Sequence, residues 1–250
     1  MIITLLTDFG TADGYVGEMK GVLLSAAPDV CLVDISHDVA PQDVEGGRLA
    51  MARVWRRFPV GTVHLVVIDP GVGTSRRAIA VASEGRMLVG PDNGVLSPAL
   101  LASGASVVEL AVPTGASHTF HGRDVFAPAA ALLACHVPLD ALGPTIDDPI
   151  IRRTPEPVRQ PDGTVLGQVI TTDRFGTLVT NLVAPRGGTI EIAGRGLGPL
   201  RRAYGDVPSG SLLALVGSSG LVEIAARDGS AARDLAAGRG TPVLLRPVRR

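Results

Sequence analysis

Apolar positions along this chain keep two rhythms, and the balance between them changes partway. Short, mostly apolar runs at 2–6 (IITLL) and 30–35 (VCLVDI) have the length of buried strands. Between them, residues 15–27 space their apolar side chains as a helix does, and an Ala-Pro step closes it. Residues 43–58 repeat the helical spacing, with Leu49, Met51, Val54, Trp55 and Phe58 facing a core. A strand at 64–68 follows, then a hairpin of 78–82 with 87–89 around SEGR, a helix at 97–102, a strand at 107–110 and a helix at 124–135. Strands alternating with helices predict an α/β layer architecture with a largely parallel sheet. After about residue 150 the helical rhythm stops. RRTPEPVRQPDGT is polar and proline-rich. Beyond it come only short strands between Gly and Asp turns, at 165–172, 178–181, 189–192, 212–216, 221–226 and 242–245. The expected organisation is an N-terminal α/β domain over 1–150, a linker over 151–162 and a small all-β barrel over 163–250.

Composition narrows the class. With 46% hydrophobic and 19% charged residues, the 250-residue chain has a globular balance and the size to bury a core without staples. A net charge of -1 and 3% aromatic residues argue against nucleic acid or an anionic membrane as partner. No apolar run approaches the roughly 18 residues that a membrane helix needs. MIITLLTDFG has neither a basic leader nor a long apolar core, which predicts a soluble, cytoplasmic protein. Cys31 and Cys135 lie among apolar residues and read as small core side chains.

Candidate chemistry collects where predicted strands end, the usual place for ligands in an open α/β sheet. TDFGTADG (7–14), DISHDVAPQD (34–43) and DPGVGTSRR (69–77) fall there, and TFHGRDVFAP (119–128) opens a helix. Each mixes glycine with ionisable groups. Gly71 and Gly73 do not make a phosphate loop, because AIAVA continues as a strand where a helix is required. Asp69 emerges from a buried strand, and Arg76 lies within reach across the turn. That spacing suits a structural ion pair as well as a site. Asp124 reads as the N-cap of the following helix. His121 has no such structural explanation, His37 is undecided, and Arg77 is expected to be exposed. No paired cysteines or His-x-x-x-His spacing call for a metal, and no cofactor is expected.

Taken together, TLLTDFGTADGYVGEMKGVL, VVIDPGVGTSRRAI, GPDNGVLSP, TFHGRDVFAPAAA, TDRFGTLVTNL and LVGSSGLVEIA resemble the S-adenosyl-L-methionine (SAM) hydrolases that form adenosine. These are also called SAM hydroxide adenosyltransferases and are relatives of the fluorinase and chlorinase. The likeness runs from residue 3 to about 235. It implies that water and SAM give adenosine and L-methionine. It also implies a homotrimer whose active sites lie between one subunit's N-domain and the next subunit's C-domain. A reacting set falls on Asp69, Arg76 and His121. Asp8 matches the residue that holds the ribose hydroxyls, and Asp13 with Ser218 and Ser219 those at the methionine end. Asp173 and Phe175 match an adenosine wall supplied by the neighbouring chain, and backbone near Ala226 the adenine reader. Thr177 and Arg227 stand where the family often has Asn.

The chemistry fits a sulfonium, whose thioether leaves neutral and needs no acid. Asp69 and Arg76 are expected to hold a water, and His121, ordinarily near pKa 6.5, to relay its proton. The related halogenases carry Tyr and Thr where this chain has Asp69 and Val72, and a carboxylate at ~4 Å opposes a halide by about 4 kcal/mol at an effective dielectric of 20. A catalytically silent SAM or adenosine-binding module is the other alternative.

Overall fold

In the computed structural model, residues 1–183 and 187–247 are described. The chain divides into two compact units, Met1–Arg153 and Thr154–Arg250.

The first unit is built on strands β1 (Ile2–Thr7), β2 (Cys31–Ser36), β3 (Val63–Val67), β4 (Ala78–Ser83), β5 (Arg86–Pro91) and β6 (Ser106–Leu110). Their order across the sheet is β2-β1-β3-β5-β4-β6. Pairings β2-β1, β1-β3 and β3-β5 are parallel, while β4 runs against both of its neighbours. Alternation along the strands feeds two cores. Ile3, Leu5, Val63, Leu65 and Val67 face one way and pack with Met19 and Leu23 of helix α1 (Tyr15–Ala26). Leu6, Val66 and Ile68 face the other and pack with Met51 of helix α2 (Val44–Val54) and with Trp55 just beyond it. The sheet is therefore sandwiched, as the periodicity predicts. Asp43 caps α2 by accepting the Gly46 N–H at 3.0 Å. A short helix α3 (Ser97–Leu100) covers the second face. Helix α4 (Ala127–Ala134) completes the first core through Ala127, Ala130 and Leu133.

The second unit contains β7 (Val158–Arg159), β8 (Val165–Thr172), β9 (Leu178–Val183), β10 (Gly188–Ile192), β11 (Arg195–Pro199), β12 (Leu212–Val216), β13 (Leu221–Ala226), a single-turn helix α5 (Ala231–Asp234) and β14 (Pro242–Pro247). The antiparallel order is β11-β10-β14-β8-β9-β13-β12, with β7 on β8. The Arg201 N–H donates to the Ala214 carbonyl at 2.8 Å, drawing the chain after β11 towards β12 and nearly closing the barrel. Val169, Leu182, Ile190, Val222, Ile224 and Val243 fill it.

Several expectations change. Cys31 and Cys135 are exposed free thiols, because each lies where an element meets solvent, at the first residue of edge strand β2 and just past α4. Asp124 does not cap a helix. It lies inside a π-turn, Gly122–Phe126, closed by a bond from the Ala127 N–H to the Gly122 carbonyl and followed by Pro128, which has no N–H to give. Strand β11 (RGLGP) has no β-branched residue, so nothing in its composition announces it. Strand β7 lies within the segment read as linker. Among the described residues, no helix is long and apolar enough to cross a membrane, and no group of three His, Cys, Asp or Glu is placed to hold a metal.

Candidate active site

Strand β1 has β2 on one side and β3 on the other, so the chain changes direction across the sheet at β1-β3. That is the topological switch point, where a crevice opens beyond the strand ends. Asp8 follows β1 and Asp69 follows β3 by two residues, and the register pairs Thr7 with Val67. Two carboxylates thus leave adjacent parallel strands at the same edge.

Asp69 is held by Arg76. Arg76 Nε donates to Asp69 Oδ1 at 2.8 Å, and Arg76 Nη2 donates to Oδ2. Both side chains are deeply buried, at 9% exposure for Arg76 and 5% for Asp69. The aromatic ring of Phe126, in the π-turn, lies 5.1 Å from the guanidinium carbon, which rests over its face. Sequence reading passed over Phe126 because an apolar residue at a helix start looks like ordinary core. Arg76 Nη2 also lies 3.1 Å from His121 Nδ1. A guanidinium has only donors, so Nδ1 must be the acceptor. Neutral His121 then carries its proton on Nε2. Burial, and next the Arg76 charge, lowers the His121 pKa below 6.5. Both facts oppose a relay through His121 in this arrangement, since its basic nitrogen is occupied by a cation. Arg76 Nη1 is buried with no hydrogen-bond partner among the described residues.

One glycine lets these loops meet. Gly73 takes φ +75°, and a Cβ there would lie 2.3 Å from the His118 carbonyl oxygen, so only glycine brings the 69–77 loop against the segment leading to His121. Gly122 lets its turn pack closely on side chains, since a Cβ there would lie 3.2 Å from Met19 of α1 and from Phe120.

Asp8 accepts the Gln42 N–H at 2.7 Å, with Gln42 at φ 66° to present it. Burial raises the Asp8 pKa, and the Asp69 charge pushes the same way against the Gln42 bond. His37 proves to be support for this loop. Its Nδ1 is 2.8 Å from Thr7 Oγ1, its Nε2 is 3.1 Å from Asp34 Oδ1, and its carbonyl accepts the Gly10 N–H at 2.8 Å. Asp13 is exposed on the same loop. Phe9, Tyr15 and Phe120 form an aromatic triangle beside it, with ring centroids 5.3 to 5.9 Å apart. Arg77 is not the exposed arginine expected. It donates to Asp92 at 2.9 Å and to Asp148 at 2.6 Å, because the turn after β5 carries a buried carboxylate next to it.

The remaining candidates lie in the second unit. Asp173 Oδ1 accepts the N–H groups of Phe175 (2.9 Å) and Thr177 (2.8 Å), shaping the β8–β9 turn and leaving Phe175 79% exposed. Ala226 ends β13 at the same end of the barrel, where β9 begins opposite Ile224. Ser218 and Ser219 are exposed in the turn at the other end of β13. Six strand residues separate the two groups, roughly 20 Å. Thr177 gives its N–H to Asp173, and Arg227 donates to the Val207 carbonyl at 2.7 Å, so neither departure disturbs the turns that carry these candidates.

Comparison with known proteins follows the same division. The model of the SAM hydroxide adenosyltransferase N-terminal domain matches residues 3–143, and that of the C-terminal domain matches residues 167–244. An (R)-S-adenosyl-L-methionine hydrolase of Thermus thermophilus is 41% identical, covering 97% of this chain and 98% of its own. A Salinispora arenicola protein of the same name is 43% identical over 94% and 93%. A fluorinase of Actinoplanes sp. is more distant, 31% identical over 72% of this chain. Among solved structures, an uncharacterized conserved protein from Thermotoga maritima superposes with a TM-score of 0.89 at 33% identity, covering 98% of this chain and 99% of that one.

Proposed function

The chain belongs to the SAM hydroxide adenosyltransferase family, and from that premise we propose that it hydrolyses (R)-S-adenosyl-L-methionine to adenosine and L-methionine. The observation that carries this is the buried Asp69–Arg76–His121 set at the switch point. A water oxygen attacks the ribose 5′ carbon in line with the sulfonium. The new C–O bond forms as the C–S bond breaks, and the electron pair leaves with neutral methionine sulfur. The attacking oxygen becomes an oxonium, far more acidic than any carboxylic acid, so Asp69 suffices to accept its proton. Positioning supplies most of the barrier reduction, up to about 7–11 kcal/mol for a well-aligned pair. Arg76 fixes the carboxylate by its fork, and His121 fixes Arg76 by accepting from the same Nη2 that donates to Asp69 Oδ2. The unpartnered Arg76 Nη1 is a further donor for the water. Burial makes each of these interactions stronger than it is in water.

Asp8 is the acceptor for the ribose hydroxyls in this reading, with Asp13, Ser218 and Ser219 at the methionine end. Asp173, Phe175 and backbone near Ala226 hold the adenosine. The separation of the last two groups along β13 requires a ligand lying extended beside that strand. The same proposal includes a homotrimer in which one subunit's second unit completes the next subunit's site, and a cytoplasmic location. No metal or cofactor takes part, because a sulfonium leaves unaided.

The test is direct. Purified protein is incubated with each sulfur epimer of SAM, with and without excess chloride or fluoride. Adenosine and methionine from the R epimer, in equal amounts, are expected. A 5′-haloadenosine marks a halogenase, and stoichiometric binding without product marks a silent binder. Either overturns the reading. Light scattering on the same sample is expected to give three times the 25.7 kDa chain.

A further inference from the structure

The proposed reacting pair sits on one loop, residues 69–77, and both ends of that loop are held by a single turn. Asn93 Nδ2 donates to the Ile68 carbonyl at 2.9 Å, directly before Asp69. Its Oδ1 accepts the Val95 N–H at 3.1 Å, which fixes which way the amide faces. One residue earlier, the Asp92 N–H donates to the Arg77 carbonyl at 2.9 Å, directly after Arg76. The Asp92 carboxylate is 2% exposed and receives Arg77 Nε at 2.9 Å. Its other oxygen receives the Ile150 N–H at 2.7 Å. Arg77 goes on to the Asp148 carboxylate at 2.6 Å and the Asp148 carbonyl at 2.8 Å. Arg152 ties the same strap to the turn, through its N–H to Ser97 Oγ and its Nε to the Asn93 carbonyl, both at 2.8 Å. Gly94, at φ +92°, leaves the space that the Arg152 side chain fills.

We propose that Asn93 and Asp92 are positioning residues for the reaction: Asn93 sets Asp69 through the Ile68 carbonyl, Asp92 sets Arg76 through Arg77, and the 148–152 strap completes the brace. Neither residue touches the reacting atoms. A loop rich in glycine between two strands has many conformations of similar energy. The brace selects the one in which the Asp69–Arg76 fork forms. It uses two ends of one rigid turn, so the carboxylate and guanidinium cannot drift independently. The strap is the last segment of the first unit, so its seating bears on the geometry of the loop.

This proposal rests on the assignment of Asp69 and Arg76 to the reaction, and its test separates the two. Asn93→Ala, Asp92→Asn and Asp69→Asn are compared with wild type for kcat and KM on SAM, for adenosine affinity and for thermal unfolding. Misplacement on the order of 1 Å costs up to ~100-fold in rate. The expected result is a fall in kcat of roughly ten- to a hundredfold for Asn93→Ala and Asp92→Asn, with KM and adenosine affinity within about twofold. Near-wild-type kcat in both, beside a dead Asp69→Asn, overturns the brace alone. Near-wild-type kcat in Asp69→Asn overturns the site assignment. Parallel losses of kcat, adenosine affinity and unfolding temperature overturn a positioning role in favour of a merely structural one. Should Asn93→Ala fail to fold, Arg77→Gln, whose side chain is 25% exposed, is read in its place against the same criteria.

Discussion

At the scale of single residues, the contact between Arg76 Nη2 and His121 Nδ1 decides more than its 3.1 Å suggests. In the proposed site it makes His121 a prop for the guanidinium and not a proton acceptor. Two substitutions separate these roles. Asn offers an amide oxygen where Nδ1 stood, whereas Phe offers nothing. His121→Asn is expected to keep turnover within about tenfold of wild type, and His121→Phe to lose at least ~100-fold. Equal losses in both restore His121 as the base. Asp69→Asn removes the acceptor itself and is expected to lower kcat by at least ~100-fold, measured as adenosine release, with adenosine binding unchanged. The pH dependence follows from the lowered His121 pKa. Protonating His121 sets two cations against each other, so activity is expected to decline only below pH 6.5, the ordinary histidine value.

At the scale of elements, the site depends on loops that can approach closely only where a side chain is missing. Gly73 and Gly104 share φ +75°, yet a Cβ would strike the His118 carbonyl at the first and meet nothing at the second. Backbone strain from Ala is therefore alike at both, of the order of 1–2 kcal/mol. Gly73→Ala is expected to lose turnover by roughly ten- to a hundredfold, whereas Gly104→Ala lowers only the unfolding temperature. Matching kinetic effects at the two glycines refute the close-approach argument. The π-turn Gly122–Phe126 plays a similar part, because its extra residue places Phe126 under Arg76 while His121 stands at its start. The apolar spacing predicts a plain helix over 124–135 with no such turn. Helical periodicity carries no mark of one i−5 bond.

At the scale of the whole molecule, stability against acid follows from a buried polar pair between β1 and β3. Thr4 Oγ1 and His64 Nδ1 are 2.7 Å apart in a fully buried site, and burial lowers the His64 pKa to about 4. The folded protein refuses a proton that the unfolded chain accepts below pH 6.5. Stability is thus complete above that value and is lost as pH falls towards 4, by roughly 3 kcal/mol. Urea unfolding at pH 7.5 and 4.5 checks this, with the Thr4→Val/His64→Leu double variant expected to lose distinctly less on acidification. An equal loss in both assigns the acid sensitivity elsewhere.

The sequence by itself determined the layer class, nearly every strand and the residues that meet at the switch point, since these follow from periodicity and from local chemistry at strand ends. Asp69 and Arg76 were legible as an acid and a guanidinium within reach across one turn, and His121 as an imidazole ahead of a glycine with no structural reason to be there. Tertiary structure decided the rest. Strand order and the seating of Arg77 on Asp92 and Asp148 join residues distant along the chain, and no local pattern encodes such contacts. The two cysteines went to the surface because position in an element, not apolar neighbours in sequence, sets exposure. The direction of the His121 hydrogen bond was beyond sequence for the same reason: it exists only once a guanidinium from the distant 69–77 loop arrives with donors alone to give.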